Sequence, residues 1–145
     1  MAGAQREIQV AVSPEDFFSV IADYERYPDF LPDMESVEVL SRAEERVEAR
    51  FTATFLKRVS YTLEIVERAP NAMDWSLIEG PFKVSDGSWR LERLADGGTL
   101  ARYSIEVQLH SFVPKSLSTP VVAKTVPALL KAFKARAEAL CPPAG

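Results

Sequence analysis

Few residues in this chain of 145 have a type and spacing suited to chemistry. His110 is the only histidine, and no serine, cysteine or carboxylate lies at motif spacing from it. We interpret it as a surface or cap residue rather than a catalyst or a metal ligand. Asp29 and Asp33 flank a short apolar segment and could act as an acid–base pair, but solvated loop carboxylates are commoner. The sequence predicts no catalytic residue, metal site or cofactor.

The cysteine, glycine and lysine positions also favour simple roles. Cys141 is the only cysteine, which excludes an intrachain disulfide or a cysteine metal cage and fits a reducing cytoplasm. Gly80 and Gly87 lack the spacing of a phosphate-binding loop and are typical of turns and bulges. Four lysines are expected on a solvated helix face that could touch an anionic membrane transiently: Lys115, Lys124, Lys131 and Lys134.

Composition excludes two further classes of protein. The formal net charge of −4 argues against a protein that follows nucleic-acid phosphates. No stretch approaches the roughly 18 uninterrupted apolar residues needed to cross a bilayer. A chain of this length with 47% hydrophobic residues is expected to form one domain, residues 1–145, with its own core.

A strand followed by two short helices is predicted at the start of the chain. Residues 8–12 alternate between apolar and polar types, as in a half-buried strand. Ser13 and Pro14 then mark a helix start, because serine caps the first turn and proline suits its first position. Residues 23–33 contain two prolines, so they are expected to form a second short helix and a loop.

Residues 37–109 have a hydrophobic period of two, which predicts strands. Turn signals at residues 43–45, 69–71 and 96–98 separate successive runs. Short links between strands imply an antiparallel meander of about six or seven strands, with one polar and one apolar face.

After Pro114 the period becomes helical again. The helical period over residues 116–140 predicts a helix roughly 35 Å long. Pro120 is expected to mark its true start, and Pro127 to kink the helix or leave one backbone carbonyl without a hydrogen bond. The apolar sheet face and this helix must bury each other, giving a two-layer α+β domain. A bent sheet around a helix often leaves a ligand cavity between the layers.

The inward positions of the strands are apolar or aromatic. The only polar atoms predicted there are tyrosine hydroxyls and indole N–H groups, whereas an enzyme needs converging acids, bases or oxyanion donors. Alternation alone fits both a packed core and a lined tunnel. The residues predicted to line a ligand cavity are Phe51, Phe55, Tyr61, Leu63, Trp75, Leu77, Trp89, Tyr103, Ile105, Val122, Val126, Leu129 and Phe133.

Two motifs, in this order, carry a resemblance to a known family. Residues 24–32 contain Tyr-Pro-Asp-Phe-Leu-Pro, and residues 80–89 contain a Gly-Pro-Phe turn followed by a Gly-Ser-Trp strand. Together they resemble the signatures of the START-like (SRPBCC) polyketide cyclase/dehydrase and coenzyme Q-binding family, over nearly the whole chain. The resemblance implies the helix-grip fold of START and Bet v-like proteins, a bent antiparallel sheet wrapped around a C-terminal helix.

The resemblance also implies a site and a function. Two facing segments would form the cavity mouth, namely Tyr27, Pro28, Phe30, Leu31 and Pro32 on one side and Pro81 and Phe82 on the other. The function expected is binding or transport of a hydrophobic small molecule, a lipid or a polyprenyl quinone-like compound. The alternative is an aromatase/cyclase-type enzyme acting on a polyketide-like substrate. A ribosome-interacting protein is a third possibility, which the net negative charge disfavours. The sequence does not predict the oligomeric state.

Overall fold

Seven antiparallel strands and a long C-terminal helix dominate the fold. The computed structural model describes residues 2–54, 58–109 and 115–144. Its elements are β1 Ala2–Val10, α1 Pro14–Ile21, a 3₁₀ helix Tyr24–Asp29, β2 Met34–Ala43, β3 Arg46–Thr54, β4 Arg58–Arg68, β5 Ala72–Glu79, β6 Phe82–Arg93, β7 Thr99–Leu109 and α2 Lys115–Leu140. The strand order is β1-β7-β6-β5-β4-β3-β2. Strands β2 to β7 therefore form a meander, and β1 pairs with β7 at one edge of the sheet.

The two short helices form where the sequence predicts them. The Ser13 side chain accepts a hydrogen bond of 3.2 Å from the Asp16 backbone N–H, and Pro14 is the first helical residue. After α1, the second helix is a 3₁₀ turn because Pro28 has no N–H to continue an α-helical ladder. Both helices connect β1 to β2, at opposite edges of the sheet.

The outer face of the sheet is polar, as predicted. Cross-strand ion pairs run along it, including Arg46–Glu64 at 2.6 Å and Arg90–Asp74 at 2.8 Å. Each exposed pair contributes roughly 0–1 kcal/mol, so the pairs define the wet face more than they stabilise the fold.

The C-terminal part of α2 is fixed to the end of β1. Glu138 accepts a hydrogen bond of 2.9 Å from the Ala11 N–H, and Lys134 donates to the Gln9 carbonyl at 2.8 Å. α2 begins at Lys115, one residue before the predicted start. Pro120 was predicted to mark the start of α2, because proline has no N–H to donate and is best tolerated in the first helical turn. That prediction is wrong, since α2 already begins at Lys115 and Pro120 lies beyond its first turn. Among the described residues, no helix is both long and apolar enough to span a membrane.

Candidate ligand-binding site

One end of the inner sheet face is tightly packed, and we call it the closed end. Its residues are Val47, Ile65, Met73, Trp89, Leu91 and Ala101, each at most 5% exposed. Trp89 joins three elements there, with ring centroids 5.5 Å from Phe17 of α1 and 5.4 Å from Phe133 of α2. This part of the face is an ordinary protein core.

The other end of the same face is less well covered, and we call it the open end. Its inward residues are Tyr61, Trp75, Leu77, Ile105 and Val107, all only partly buried although they contact the core. They come from β4, β5 and β7, and β6 lies between β5 and β7 in the sheet. The open end is therefore an apolar surface on the inner face that the described residues do not completely cover.

Glycines let the open-end aromatic rings pack against backbone. A Cβ atom on Gly87 would lie 2.4 Å from Cζ2 of Trp75, so the indole rests directly on the β6 backbone. A Cβ atom on Gly80 would lie 2.7 Å from the Tyr61 Cβ. The glycines of the second sequence motif thus shape the open end by allowing close approach.

Aromatic stacking connects the open end with the core. Tyr61 stacks on Phe51 at a centroid distance of 5.5 Å and an interplanar angle of 12°. Trp75 lies 5.6 Å from Tyr103, which itself lies 4.8 Å from Trp89. Tyr103 and Phe51, at 5% and 4% exposure, therefore mark the boundary between the two ends.

The tyrosine hydroxyls of this region stay protonated. Burial raises the pKa of Tyr61, and burial together with the nearby Tyr61 raises that of Tyr103. No hydrogen bond joins the Tyr103 hydroxyl to another described residue, and Tyr103 is 5% exposed. A protonated phenol can orient a polar group but cannot act as a base near neutral pH.

Strand register places several polar residues on the inner face that the sequence prediction missed. Ser85 lies opposite Val107, Arg6 opposite Tyr103, Glu67 opposite Met73, and Arg42 opposite Val47. The expectation that no serine or carboxylate shares this face is therefore wrong. Alternation continues into the strand ends, beyond the apolar runs that define it in the sequence, and a bulge shifts the parity of β2.

Three of these polar groups have evident structural roles. Glu67 accepts a hydrogen bond from the Tyr24 hydroxyl and pairs with Arg42 at 3.2 Å, at the closed end. Burial and this bond raise the pKa of Tyr24, so its hydroxyl remains a donor. Arg6 is exposed on the edge strand and donates to the Gln5 carbonyl at 2.9 Å. None of these three groups lies at the open end.

The predicted mouth residues of the first motif pack against α2. Tyr27 and Leu31 are buried, and the Tyr27 ring lies 5.2 Å from that of Phe133. Phe30 also lies 5.2 Å from Phe133 and carries the Arg136 guanidinium 5.3 Å above its ring. Pro28 is partly buried, whereas Pro32 and Pro81 are exposed. Whether these segments form a mouth stays a prediction.

The other predicted lining residues fall into three groups. Leu63, Val126 and Phe133 are buried, and Leu129 is partly buried against the core. The side chains of Val122 and Phe82 lie outside the described residues. Phe55 and His110 lie outside them altogether.

The charged candidates from the sequence are used in ion pairs or face solvent. Asp29 is exposed and lies 3.9 Å from Arg26 and 3.7 Å from Arg136, while Asp33 is exposed. Lys131 is exposed, and the side chains of Lys115 and Lys124 lie outside the described residues. Among the described residues, no group of three metal-ligating side chains could hold an ion.

A small cleft lies apart from the sheet, between α1, the 3₁₀ helix and α2. Its volume is about 160 Å³, and Arg26, Phe30, Arg136 and Cys141 line it. Drug-sized ligands occupy roughly 300–1,000 Å³. The cleft is therefore too small for a lipid, and burial raises the pKa of the Cys141 thiol, which makes it a poor nucleophile.

Known structures share this fold over almost their whole length. A START superfamily protein from Mycobacterium smegmatis has a TM-score of 0.88 and 22% identity, covering 97% of this chain and 100% of that one. The Zhui aromatase/cyclase from Streptomyces sp. R1128 has a TM-score of 0.85 and 18% identity, covering 94% and 93%. These likenesses show the helix-grip fold, which confirms the fold predicted from the sequence.

One relative in sequence is named as a toxin. The ribosome association toxin RatA of Vibrio cholerae serotype O1 is 26% identical over 141 residues, covering 95% of this chain and 96% of the relative.

A family model also matches most of the chain. The model, described as polyketide cyclase / dehydrase and lipid transport, matches residues 10–134. This description and the fold together indicate a hydrophobic ligand, and they confirm the START-like resemblance of the two sequence motifs. Because the match spans most of the chain, the protein belongs to the polyketide cyclase / dehydrase and lipid transport family.

Proposed function

We propose that this protein binds and carries a hydrophobic small molecule, a lipid or a polyprenyl quinone-like compound, between the open end of the sheet and α2. The observation that carries the proposal is the partly exposed apolar surface formed by Tyr61, Trp75, Leu77, Ile105 and Val107. Contiguous apolar surface left uncovered inside a fold favours a ligand, because its transfer from water is worth roughly 25 cal/mol per Å².

The polar groups near this surface suit holding a ligand rather than transforming it. No described inward residue of the open end is ionisable near neutral pH, since both nearby tyrosines have raised pKa values. The Tyr103 hydroxyl, at the boundary of the open end, can hydrogen-bond a carbonyl or hydroxyl of the ligand. An apolar surface with one or two orienting polar groups is the usual composition of a small-molecule pocket.

Two neighbouring residues provide a matched test of the proposal. Leu77 points inward and is partly buried, whereas Ile78 points outward and is 48% exposed. We expect Leu77→Asp to weaken binding of the neutral fluorescent hydrophobe N-phenyl-1-naphthylamine at least tenfold, and Ile78→Asp to leave it nearly unchanged. Circular dichroism of both variants establishes that they are folded.

Mass spectrometry of the purified protein supplies the complementary measurement. Native spectra followed by organic extraction should reveal a co-purified lipid or quinone at near one-to-one stoichiometry. A protein that retains no lipid and does not bind the naphthylamine would contradict the proposal. So would equal binding by a folded Leu77→Asp variant and the wild type.

An aromatase/cyclase-type enzyme is the second candidate. The Tyr103 hydroxyl favours it, because a protonated donor at the boundary of an aromatic surface could orient a polyketide carbonyl and promote enolisation. Tyr61→Phe and Tyr103→Phe separate the two functions. A carrier keeps its ligand in both variants, whereas an enzyme loses turnover of a polyketide-like substrate.

Association with ribosomes is the third candidate, and the full-length similarity to RatA supports it. The formal charge of −4 disfavours a surface that follows RNA phosphates. Co-sedimentation with ribosomes through a sucrose cushion tests it, and a protein that stays in the supernatant at low salt would exclude it.

A further inference from the structure

The sheet divides between β5 and β6, and we call this division the fork. Ala72–Trp75 pair with Gly87–Arg90, and the pairing stops there. Beyond that point Leu77 pairs with Leu63 of β4, while Ser85 pairs with Val107 of β7. The fork therefore lies between residues 76–79 and 82–86, which are adjacent in the chain but are held by different neighbours.

The fork opens onto the proposed ligand site. On its inner side lie Leu77 from one arm and Trp75 at its base, where Gly87 also pairs with Ile105. All three of these side chains belong to the partly buried apolar surface. On the outer side, Ile78 is one of the few large hydrophobic side chains that the described surface exposes. Apolar groups thus lie on both sides of the sheet at this point.

Two contacts between described side chains and backbone close the fork. The Trp75 indole lies on Gly87 at its base, where a Cβ atom would come within 2.4 Å of the ring. Asp86 Oδ1 accepts a hydrogen bond of 3.3 Å from the Leu77 N–H, so one side chain replaces the missing backbone ladder between the arms. Opening paired strands would break several backbone hydrogen bonds, whereas opening the fork breaks this bond and moves one ring.

We propose that the hydrophobic ligand enters and leaves between β5 and β6, with Asp86 as the latch of this passage and Trp75 as its inner gate. The inference rests on the proposed function and adds a route to it. The Tyr27–Leu31 segment suits a passage less well, because Tyr27 and Leu31 are buried and the Tyr27 hydroxyl donates to the Ile21 carbonyl at 2.5 Å.

Release kinetics test the latch without disturbing the site. Protein loaded with N-phenyl-1-naphthylamine is mixed with excess phosphatidylcholine vesicles, and the loss of protein-bound fluorescence is followed by stopped flow. We expect Asp86→Ala to release the probe about threefold faster, the order expected for one weak hydrogen bond lost from the barrier. The equilibrium Kd should stay unchanged, because entry and exit accelerate together.

Two further variants act as controls. Asp86→Asn keeps an oxygen that can accept from the Leu77 N–H, so its release rate should match that of the wild type. Glu92→Ala removes another outward carboxylate of β6, far along the strand from the fork, and should also leave the rate unchanged. An increase in rate for Asp86→Asn equal to that of Asp86→Ala would overturn the latch.

The outcomes separate the passage from the proposed function. A wild type that does not load the probe overturns the proposed function and the passage with it. A loaded wild type whose release rate is the same in Asp86→Ala overturns the passage alone. Release accelerated by Phe30→Ala but not by Asp86→Ala would move the exit to the 3₁₀ helix and also overturn it.

Discussion

The closed and open ends of the inner sheet face have similar residue types but different surroundings. Each contains a tryptophan on neighbouring strands, Trp89 in β6 and Trp75 in β5. Trp89 is 2% exposed between α1 and α2, whereas Trp75 is partly exposed and rests on a glycine backbone. Hydrophobic composition alone therefore does not separate core from site, and the covering elements make the difference.

The covering elements explain why the ends differ. Phe17 of α1 and Phe133 of α2 pack on Trp89 from two directions. The C-terminal part of α2 is held over this region by the bonds of Lys134 and Glu138 to the end of β1. At the open end, the neighbouring strands themselves separate at the fork.

The largest expected effect comes from truncating the two tryptophans. Trp89→Ala should lower the free energy of unfolding by about 3–5 kcal/mol, because it leaves a cavity where three elements meet. Trp75→Ala should cost about 2 kcal/mol or less, since part of its ring is already exposed. Urea denaturation measures both losses of stability, and equal m-values in the variants and the wild type make the free energies comparable.

Ligand binding reverses this order. Trp75→Ala should weaken binding of N-phenyl-1-naphthylamine, while folded Trp89→Ala should bind it more nearly as the wild type does. Equal losses of stability in the two variants would contradict the distinction between the ends.

A smaller effect is expected from two tyrosine hydroxyls. Tyr24→Phe removes the donor to Glu67 at the closed end and should cost about 1–2 kcal/mol, because it leaves a largely buried carboxylate with fewer partners. Tyr103→Phe should cost less than about 0.5 kcal/mol, since its hydroxyl has no hydrogen bond with another described residue. Thermal or urea unfolding of the two variants measures these losses of stability. A larger loss of stability in Tyr103→Phe than in Tyr24→Phe would mean that the Tyr103 hydroxyl stabilises the fold.

Much of the fold followed from local signals in the sequence. Ser13 and Pro14 specify the start of α1 by capping chemistry, and the period of two specifies which strand face is apolar. Gly80 lies at the predicted turn, whereas Gly87 pairs regularly with Trp75 and Ile105 and is not at the predicted bulge. The role of both glycines in seating Tyr61 and Trp75 depends on contacts that spacing does not encode.

The features that sequence reasoning missed depend on how strands pair. Glu67 ends an apolar run, so only its register opposite Met73 identifies it as an inward residue. The fork lies within a short hairpin, where sequence proximity predicts continued pairing rather than separation. Partial exposure at the open end likewise depends on which elements cover each residue, and alternation is the same for a core and a lined cavity.

The smallest expected effect concerns pH and the bonds that hold α2 over the closed end. Hydrogen bonds from Lys134 and the Ala11 N–H hold the pKa of Glu138 below its ordinary value of 4.5. A carboxylate whose pKa is lowered by folding adds stability above its unfolded pKa and loses it as pH falls through the folded value. Wild-type stability should therefore fall more steeply below about pH 4.5 than that of Glu138→Gln, which cannot ionise. Unfolding curves measured at pH 7 and pH 3.5 test this, and equal slopes in both proteins would mean that the bonds of Glu138 do not help to hold α2 on the sheet.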